Sequence, residues 1–234
     1  WADEHGFQTL VLSEHHGVDD GWCPAPITIA AAVLARTARA GVMVSACVLP
    51  LHDPVRFAEE TAAVSLLSGG RLSFVAGLGY RHEEFEMAGV DRKRRGSILE
   101  DSIDVIRKAL KREGPLTNDG EFYPLPYRGE DATGLGKPLK IMTHPLRADL
   151  PIFIGAEGPK NVRQTAEIAD GWLPLYYSPY RQEVYADQLA PAKPGFEINA
   201  LATLNITDDV KAGLLPVKGM LGFYIGGMGA KGQN

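Results

Sequence analysis

The sequence predicts an α/β fold built around a parallel sheet, in a single domain that spans residues 1–234. Short apolar segments of strand length alternate with segments of helical periodicity about six times, which is typical of parallel strands joined by right-handed helical crossovers. The fingerprint of a dinucleotide-binding sheet is absent, and this favours a (β/α)8 TIM barrel over an open doubly wound sheet. Because about six strands are recognisable and a barrel has eight, we expect a barrel that is incomplete at both ends of this chain.

Composition argues against several classes of function. A chain of 234 residues with 45% hydrophobic and 23% charged residues has the composition of a globular, enzyme-sized domain. Its net charge of −5 argues against a nucleic-acid partner, and no apolar run is long enough to span a membrane. Cys23 and Cys47 lack metal-site spacing and are expected to be free thiols. We therefore expect a cytoplasmic protein that holds no metal.

Local signals define the elements of the first half of the chain. Pro26 suits the first turn of a helix, and Asp53 followed by Pro54 is a typical pair of N-cap and first helical residue. The sequence at 68–70, Ser-Gly-Gly, ends that second helix. The predicted elements are strands at 7–12, 41–49 and 72–76 and helices at 27–40, 54–67 and 98–112.

The second half begins with an irregular excursion at about 113–150, where glycine and proline are frequent and periodicity is weak. Regular alternation then returns, although Pro216 is predicted to interrupt the last helix. The predicted elements are strands at 151–155, 172–176 and 196–206, helices at 161–169 and 179–189, and a weak helix from 208, followed by a glycine-rich tail at 222–229.

Polar residues follow the first strand, at the edge where a barrel binds its ligands: Glu14, His15 and His16. An imidazole there can hold or transfer a proton, and a neighbouring carboxylate can orient it, although solvent-exposed loop residues would give the same pattern. Adjacent residues at a strand end point in different directions, so only one histidine is expected to face the pocket. The nearby Glu83 and Glu84 are interpreted as caps or solvated charges.

Other segments are candidates for binding a ligand through the backbone. Gly77 and Gly79 follow the third predicted strand and either approach a ligand or form a tight turn. The small residues Ser45 and Ala46 either admit a flat ring or belong to the core. The segment 155–161, GAEGPKN, opens a helix after a buried strand and is either an anion site or an ordinary loop.

Together these segments resemble the luciferase-like family of flavin- and deazaflavin-dependent oxidoreductases over nearly the whole chain. The resemblance is carried by four segments: SEHHG at 13–17, VLPLHDPVRFAEE at 48–60, LLSGGRLSFVAGLGYRHEEFEMAGVDRKRRG at 66–96 and PIFIGAEGPKNVRQTAEIADGWLP at 151–174. It implies a (β/α)8 barrel that binds a cofactor ring at the carboxyl ends of its strands.

The resemblance also implies roles for individual residues. A non-proline cis peptide bond behind the ring is expected at Ser45–Ala46. His15 matches the family's active-site histidine, preceded by the acidic Glu14. The backbone-rich phosphate site matches Ala156, Glu157, Gly158 and Asn161.

Two features bear on the choice of cofactor. Leu78 stands where bacterial luciferases carry an arginine for the flavin phosphate, which weakens the assignment of FMN. The segment 133–145, the GPKN loop and the tail at 222–234 resemble the branch that uses coenzyme F420, whereas EHH at 14–16 resembles the luciferase branch. The resemblance thus favours F420, with FMN as the alternative.

The implied function is hydride transfer between F420 and a small organic substrate, in a homodimer. Two alternatives remain open: an FMN-dependent monooxygenase of the same family, and a shortened barrel that binds a flavin without catalysis. The sequence does not identify the substrate, because substrate pockets of this fold are formed by variable loops.

Overall fold

Six parallel strands form one sheet, and each strand pairs with its neighbour in chain order. The computed structural model describes residues 1–17, 19, 21–148 and 150–224. Because the strand order never reverses, the sheet lacks the switch point of a doubly wound fold and has the topology of a barrel. The strands are β1 (Thr9–Leu12), β2 (Gly41–Val48), β3 (Leu72–Gly77), β4 (Ile152–Gly155), β5 (Gly171–Trp172) and β6 (Glu197–Ile198).

The sheet is open in the part of the chain that the structure describes. There β1 pairs with β2 alone, and β6 pairs with β5 alone. The prediction of an incomplete (β/α)8 barrel is therefore confirmed, with six strands present.

Helices cover one face of this sheet. The Asp53 carboxylate accepts a hydrogen bond from the Arg56 amide at 2.9 Å, as expected of an N-cap, and Gly69 ends the same helix in a left-handed conformation.

None of the helices in the described ranges is long and apolar enough to cross a bilayer. The helices are α1 (Pro26–Arg36), α2 (Pro54–Ser68), α3 (His82–Ala88), α4 (Arg95–Lys111), α5 (Pro159–Ile168), α6 (Ala186–Leu189) and α7 (Val210–Gly222).

The two faces of the sheet are distinguished by alternate residues of the strands. One set belongs to the hydrophobic core beneath the helices: Val42, Val44, Leu72, Phe74, Ile152 and Ile154. Because successive side chains of a strand point to opposite faces, the intervening residues lie on the inner face of the barrel. These are Met43, Ser45, Ser73, Val75 and Phe153.

Several predicted elements are shorter than expected. The strand predicted at 196–206 is wrong beyond Ile198, and the strand predicted at 172–176 ends at Trp172. Residues 199–206 are mostly exposed, and without buried side chains their alternating pattern does not produce a strand. The last helix continues through Pro216 instead of being interrupted, and Asp209 caps it. Most of the predicted tail at 222–229 lies outside the described residues.

The excursion at 113–150 lies against α4. Its regular pairing consists of two isolated antiparallel bridges, which join Leu116 to Leu139 and Asn118 to Leu125. The Asp101 carboxylate of α4 accepts hydrogen bonds from the Asn118 side chain at 2.6 Å and from the Phe122 amide at 2.9 Å. This carboxylate therefore fixes the part of the excursion between Asn118 and Tyr123, which has little secondary structure.

Arg71, the residue before β3, connects the ends of two helices. Its guanidinium donates a hydrogen bond to the Leu34 carbonyl near the end of α1 at 2.9 Å and to the Ala40 carbonyl beyond it at 2.6 Å. It also donates to the carbonyl of Ser68, the last residue of α2, at 2.8 Å. The carbonyls at a helix end have no partner within the helix, so this planar cation satisfies the Leu34 and Ser68 carbonyls, and it shares the Ala40 carbonyl with the Thr37 hydroxyl.

We expect Arg71→Ala to lower the free energy of unfolding by about 2–4 kcal/mol, because several charge-assisted hydrogen bonds are lost together. Arg71→Lys should recover only part of this loss, since one ammonium group cannot reach all the carbonyls. Arg163→Ala, which breaks an exposed pair with Glu167, is the control and should change stability by less than about 1 kcal/mol. Urea unfolding measures all three, and equal effects at 71 and 163 would contradict this account of Arg71.

Candidate active site at the carboxyl ends of the strands

The carboxyl ends of the strands meet at one edge of the sheet. The register places Leu12 beside Val44, and Gly77 beside both Val48 and Gly155. The loops that follow β1 to β4 therefore leave the sheet close together. These loops carry the predicted site residues Glu14, His15, Gly79, Ala156, Glu157 and Gly158, with Gly77 at the end of β3 and Asn161 in the first turn of α5, whereas Ser45 and Ala46 lie within β2.

A buried carboxylate lies at the centre of this edge. The Glu14 side chain is fully buried, and its Oε1 lies 2.9 Å from His16 Nε2 and 2.7 Å from His52 Nε2. Its Oε2 accepts a hydrogen bond from the Val48 amide at 2.7 Å. We call Glu14, His16, His52 and the Val48 amide the Glu14 cluster.

The charge state of Glu14 follows from these contacts. Burial alone would raise its pKa, but the hydrogen bond and charge of His52, the Val48 amide and His16 together hold the pKa below its usual range. An ionised carboxylate only accepts hydrogen bonds, so each imidazole donates through its Nε2–H. No group of three or more His, Cys, Asp or Glu side chains in the described residues is arranged to hold a metal ion.

His15 has different surroundings from Glu14. Its ring centroid lies 5.4 Å from that of Trp22 and 6.5 Å from that of Tyr80. The sequence analysis expected Glu14 to orient His15, but the imidazoles that contact this carboxylate are those of His16 and His52. Alternation explains the difference, because Glu14 and His16 point to one side of the chain and His15 to the other.

The backbone next to His15 is held by the segment that leads into α3. The His16 amide donates to Glu84 Oε1 at 3.0 Å, and the His16 carbonyl accepts from Arg81 Nη1 at 3.0 Å. Glu84 is only 3% exposed, so the interpretation of this residue as a solvated charge is wrong. The Glu84 carboxylate instead accepts the hydrogen bond of the His16 amide in the loop after β1.

The middle of β2 is irregular where the sequence predicted a special peptide bond. The peptide bond between Ser45 and Ala46 is cis, as the family resemblance implied. The strand register shifts there, so that Ser45 pairs with Val75 but Cys47 pairs with Ala76.

Gly77 and Gly79 lie against this irregular strand. A Cβ at Gly77 would lie 2.9 Å from the Ala46 Cβ, and a Cβ at Gly79 would lie 2.7 Å from the Val48 Cγ1. Gly79 also has a φ of +71°, which disfavours other residues. Packing against β2 therefore accounts for both glycines, and their contact with a ligand stays a prediction.

The loop between β4 and α5 is held by β5 and the segment after it. The Trp172 indole N–H donates to the Ala156 carbonyl at 2.7 Å, and Glu157 Oε1 accepts from the Leu175 amide at 2.6 Å. Desolvation raises the pKa of Glu157, and the Leu175 amide opposes this in part. Gly158 provides no side-chain cap to α5, so the amides of the first turn, which includes Asn161, are available to an anion.

Sequence reasoning missed His52. It stands one residue before the N-cap Asp53, which drew attention as the helix signal. Its position just beyond the end of β2, beside the histidines that follow β1, is the feature that could have identified it. Glu84 was missed for a similar reason, since its burial depends on tertiary contacts.

Comparison with known proteins places this site in a family. Residues 1–198 match the family model described as luciferase-like monooxygenase. The chain belongs to this luciferase-like family. The match covers all six strands and the whole candidate site.

Two curated relatives of this luciferase-like chain are named for F420. A putative coenzyme F420-dependent oxidoreductase of Mycobacterium tuberculosis is 39% identical over 100% of this chain and 68% of its own length. The F420-dependent glucose-6-phosphate dehydrogenase of Nakamurella multipartita is 32% identical over 87% of this chain and 59% of its own length. This chain therefore spans roughly two thirds of the length of these relatives.

Solved structures support the fold of the luciferase-like chain. A monooxygenase from Streptomyces bottropensis superposes with a TM-score of 0.74 at 22% identity, over 93% of this chain and 66% of that one. At this identity the likeness supports the barrel architecture alone.

We expect Glu14→Gln to lower the free energy of unfolding by about 2–4 kcal/mol at pH 7, because a buried charge-assisted network loses its anion. The folded-state pKa of Glu14 is depressed, so its contribution is complete above the carboxylate's ordinary pKa and is lost as the pH falls through the folded value. The stability difference between wild type and variant should therefore shrink on acidification. Urea unfolding from pH 7 to pH 3 measures it, and a difference that is constant over this range would show that Glu14 is not ionised in the folded protein.

Proposed function

We propose that this luciferase-like chain binds coenzyme F420 at the carboxyl ends of its strands and transfers a hydride between it and a small organic substrate. The observation that carries the proposal is Leu78. This side chain packs against the hydrophobic core at the position where luciferases carry their phosphate-binding arginine, so β3 offers no cation to FMN. The names of the two curated relatives support the same cofactor.

The residues present fit a flat ring with an anionic tail. On the inner face, a Cβ at Gly155 would make ordinary van der Waals contacts with Val75 Cγ1 at 3.8 Å and the Leu173 carbonyl oxygen at 3.9 Å, and as a glycine this position leaves the volume of a side chain free on that face. Ser13 Oγ is buried and lacks a hydrogen-bond partner among the described residues, one position beyond the Leu12–Val44 pair and thus beside Ser45. These features suit a ring with polar edges that lies against Ser45 and Ala46.

The anionic end of the cofactor would bind at the first turn of α5. Amides at a helix N-terminus attract anions, and the loop from Ala156 to Gly158 is already fixed by Trp172. Lys160 lies in the same turn and would add a positive charge. In this arrangement Ser45 and Ala46 of β2 would hold the ring, and the first turn of α5, after β4, would hold the phosphate.

Bound F420 would supply or accept the hydride at its ring, and the chain would manage the accompanying proton. His15 is placed to hold or release that proton, because its half-buried ring lies at the strand ends. Trp22 and Tyr80 border His15 and would limit the access of water to it. The Arg81 and Glu84 contacts to His16 hold the backbone that presents His15.

The second candidate is an FMN-dependent monooxygenase, favoured by the EHH sequence at 14–16. The same inner face would accept the ring of FMN, and α5 would then bind the phosphate without help from an arginine at position 78. The two candidates differ in which cofactor binds.

Titration of the purified protein with F420 and with FMN, followed by fluorescence, tests the choice of cofactor. We expect F420 to bind at least about tenfold more tightly than FMN, a difference of about 1.4 kcal/mol. Gly155→Leu should abolish binding by filling the inner face, whereas Gly114→Leu, in open space outside the barrel, should not. Tighter binding of FMN would favour the monooxygenase, and binding of neither would refute both.

His15→Ala tests the proton transfer. We expect kcat of the F420-dependent reaction to fall by about 10²–10⁴-fold, the usual contribution of a general acid or base, while the dissociation constant of F420 changes by less than about threefold. His82→Ala, an exposed histidine at the start of α3, is the control and should leave both quantities unchanged. An unchanged kcat in His15→Ala would exclude the proposed role, and tight F420 binding without turnover of any substrate would leave a binding protein.

A further inference from the structure

The Glu14 cluster connects the end of β2, which the sheet fixes through the Val48–Gly77 pair, to two segments that lie outside the strands. His16 belongs to the loop after β1, the Val48 amide to the last residue of β2, and His52 to the turn that leads into α2. All three donate to one carboxylate. Removing one donor therefore affects the other two, because they share the same acceptor.

The loop after β1 depends on these contacts for its position. In the described residues β1 has four paired positions and ends at Leu12, two residues before Glu14. Beyond it, the contacts of Glu14 and His16 hold the chain together with the bridge to Cys23, in which the His15 amide donates to the Cys23 carbonyl at 3.2 Å. The direction of the His15 side chain therefore depends in part on the way in which Glu14 is held.

His52 is itself fixed from two sides. Its ring packs edge-on against the buried Phe57 ring, with centroids 5.4 Å apart and an interplanar angle of 61°. Its carbonyl accepts a long hydrogen bond of 3.4 Å from the Tyr123 hydroxyl of the excursion. The imidazole thus reaches Glu14 from a rigid support, whereas His16 reaches it from the loop that needs to be held.

We propose that His52 is a positioning residue of the cofactor site, which acts through Glu14 and touches neither cofactor nor substrate. Its Nε2–H orients the carboxylate, and the carboxylate then holds both His16 and the Val48 amide, two residues beyond Ala46. The separation between His15 and the part of β2 that faces the ring is set by this shared acceptor. The inference rests on the proposed function, because it assigns His52 a role in that same site.

The proposal makes a specific statement about tautomers. His16 and His52 both donate through Nε2, so when neutral each ring carries its hydrogen on Nε2 and leaves Nδ1 unprotonated. Nitrogen-15 NMR of the histidine rings distinguishes this tautomer from the other without cofactor or substrate. We expect the Nε2–H form for both rings in the wild-type protein whenever they are neutral.

Two substitutions separate the donor from the packing of the ring. His52→Phe keeps the contact with Phe57 but removes the donor, and His52→Gln supplies an amide donor on a flexible side chain. We expect His52→Phe to weaken F420 binding and to lower kcat, each by at least tenfold, and to release the His16 ring into a mixture of tautomers. His52→Gln should recover most of the loss. His82→Phe, which adds a phenyl ring at an exposed histidine, is the control and should bind F420 normally.

The outcomes separate this inference from the proposed function. A wild-type protein that binds neither F420 nor FMN would refute the proposed function, and the tautomers would still test the positioning of Glu14. An Nδ1–H tautomer of His52 in the wild type would overturn the inference whatever the variants do. So would a folded His52→Phe with wild-type F420 affinity and an unchanged His16 signal. If His52→Phe does not fold, the test rests on His52→Gln. Wild-type-like F420 binding and a single His16 tautomer in His52→Gln would support the inference. A folded His52→Gln that shows neither would oppose it.

Discussion

The burial of one negative charge constrains the whole functional edge of this protein. A carboxylate removed from water is stable only if donors surround it, and Glu14 obtains them from the loop after β1, from the end of β2 and from the turn before α2. The sheet register brings these elements near one another, but the carboxylate sets their distances to within a hydrogen bond. The charge therefore acts as a structural restraint on residues whose own roles are chemical.

A second restraint on this edge comes from glycines, which have no side chain and so let neighbouring strands approach closely. The irregular part of β2 requires space on its neighbour, and Gly77 and Gly79 provide it, since a Cβ at either position would lie within 3 Å of β2 side chains. Gly155 differs from these two because a Cβ there would make only ordinary van der Waals contacts, with Val75 Cγ1 at 3.8 Å and the Leu173 carbonyl oxygen at 3.9 Å. Glycines with the same appearance in the sequence thus do different things: two accommodate a strand, and one leaves room on the inner face.

The parts of the fold that depend on local signals were predictable from the sequence. The N-cap at Asp53, the helix end at Gly69 and the three apolar strands β2, β3 and β4 are each encoded within a few residues, and the structure has all of them. The strand predicted at 196–206 failed because alternation alone does not supply a buried face. His52 and Glu84 were missed because their roles depend on which strand ends lie side by side, which for His52 the position just beyond β2 could have indicated and for Glu84 only tertiary contacts show. The cis bond at Ser45–Ala46 was accessible only through family resemblance.

The three tryptophans differ sharply in their surroundings. Trp172 is fully buried and hydrogen-bonded to the loop that precedes α5, whereas Trp1 and Trp22 are 76% and 55% exposed. A buried indole emits at shorter wavelength than one in water, so the emission spectrum of this protein combines a signal from the β4–α5 loop with one from solvent-exposed rings. Trp22 lies beside His15 and Trp1 at the start of the chain. The buried component of the native fluorescence therefore reports on the β4–α5 loop, and the exposed component combines Trp22, beside His15, with Trp1.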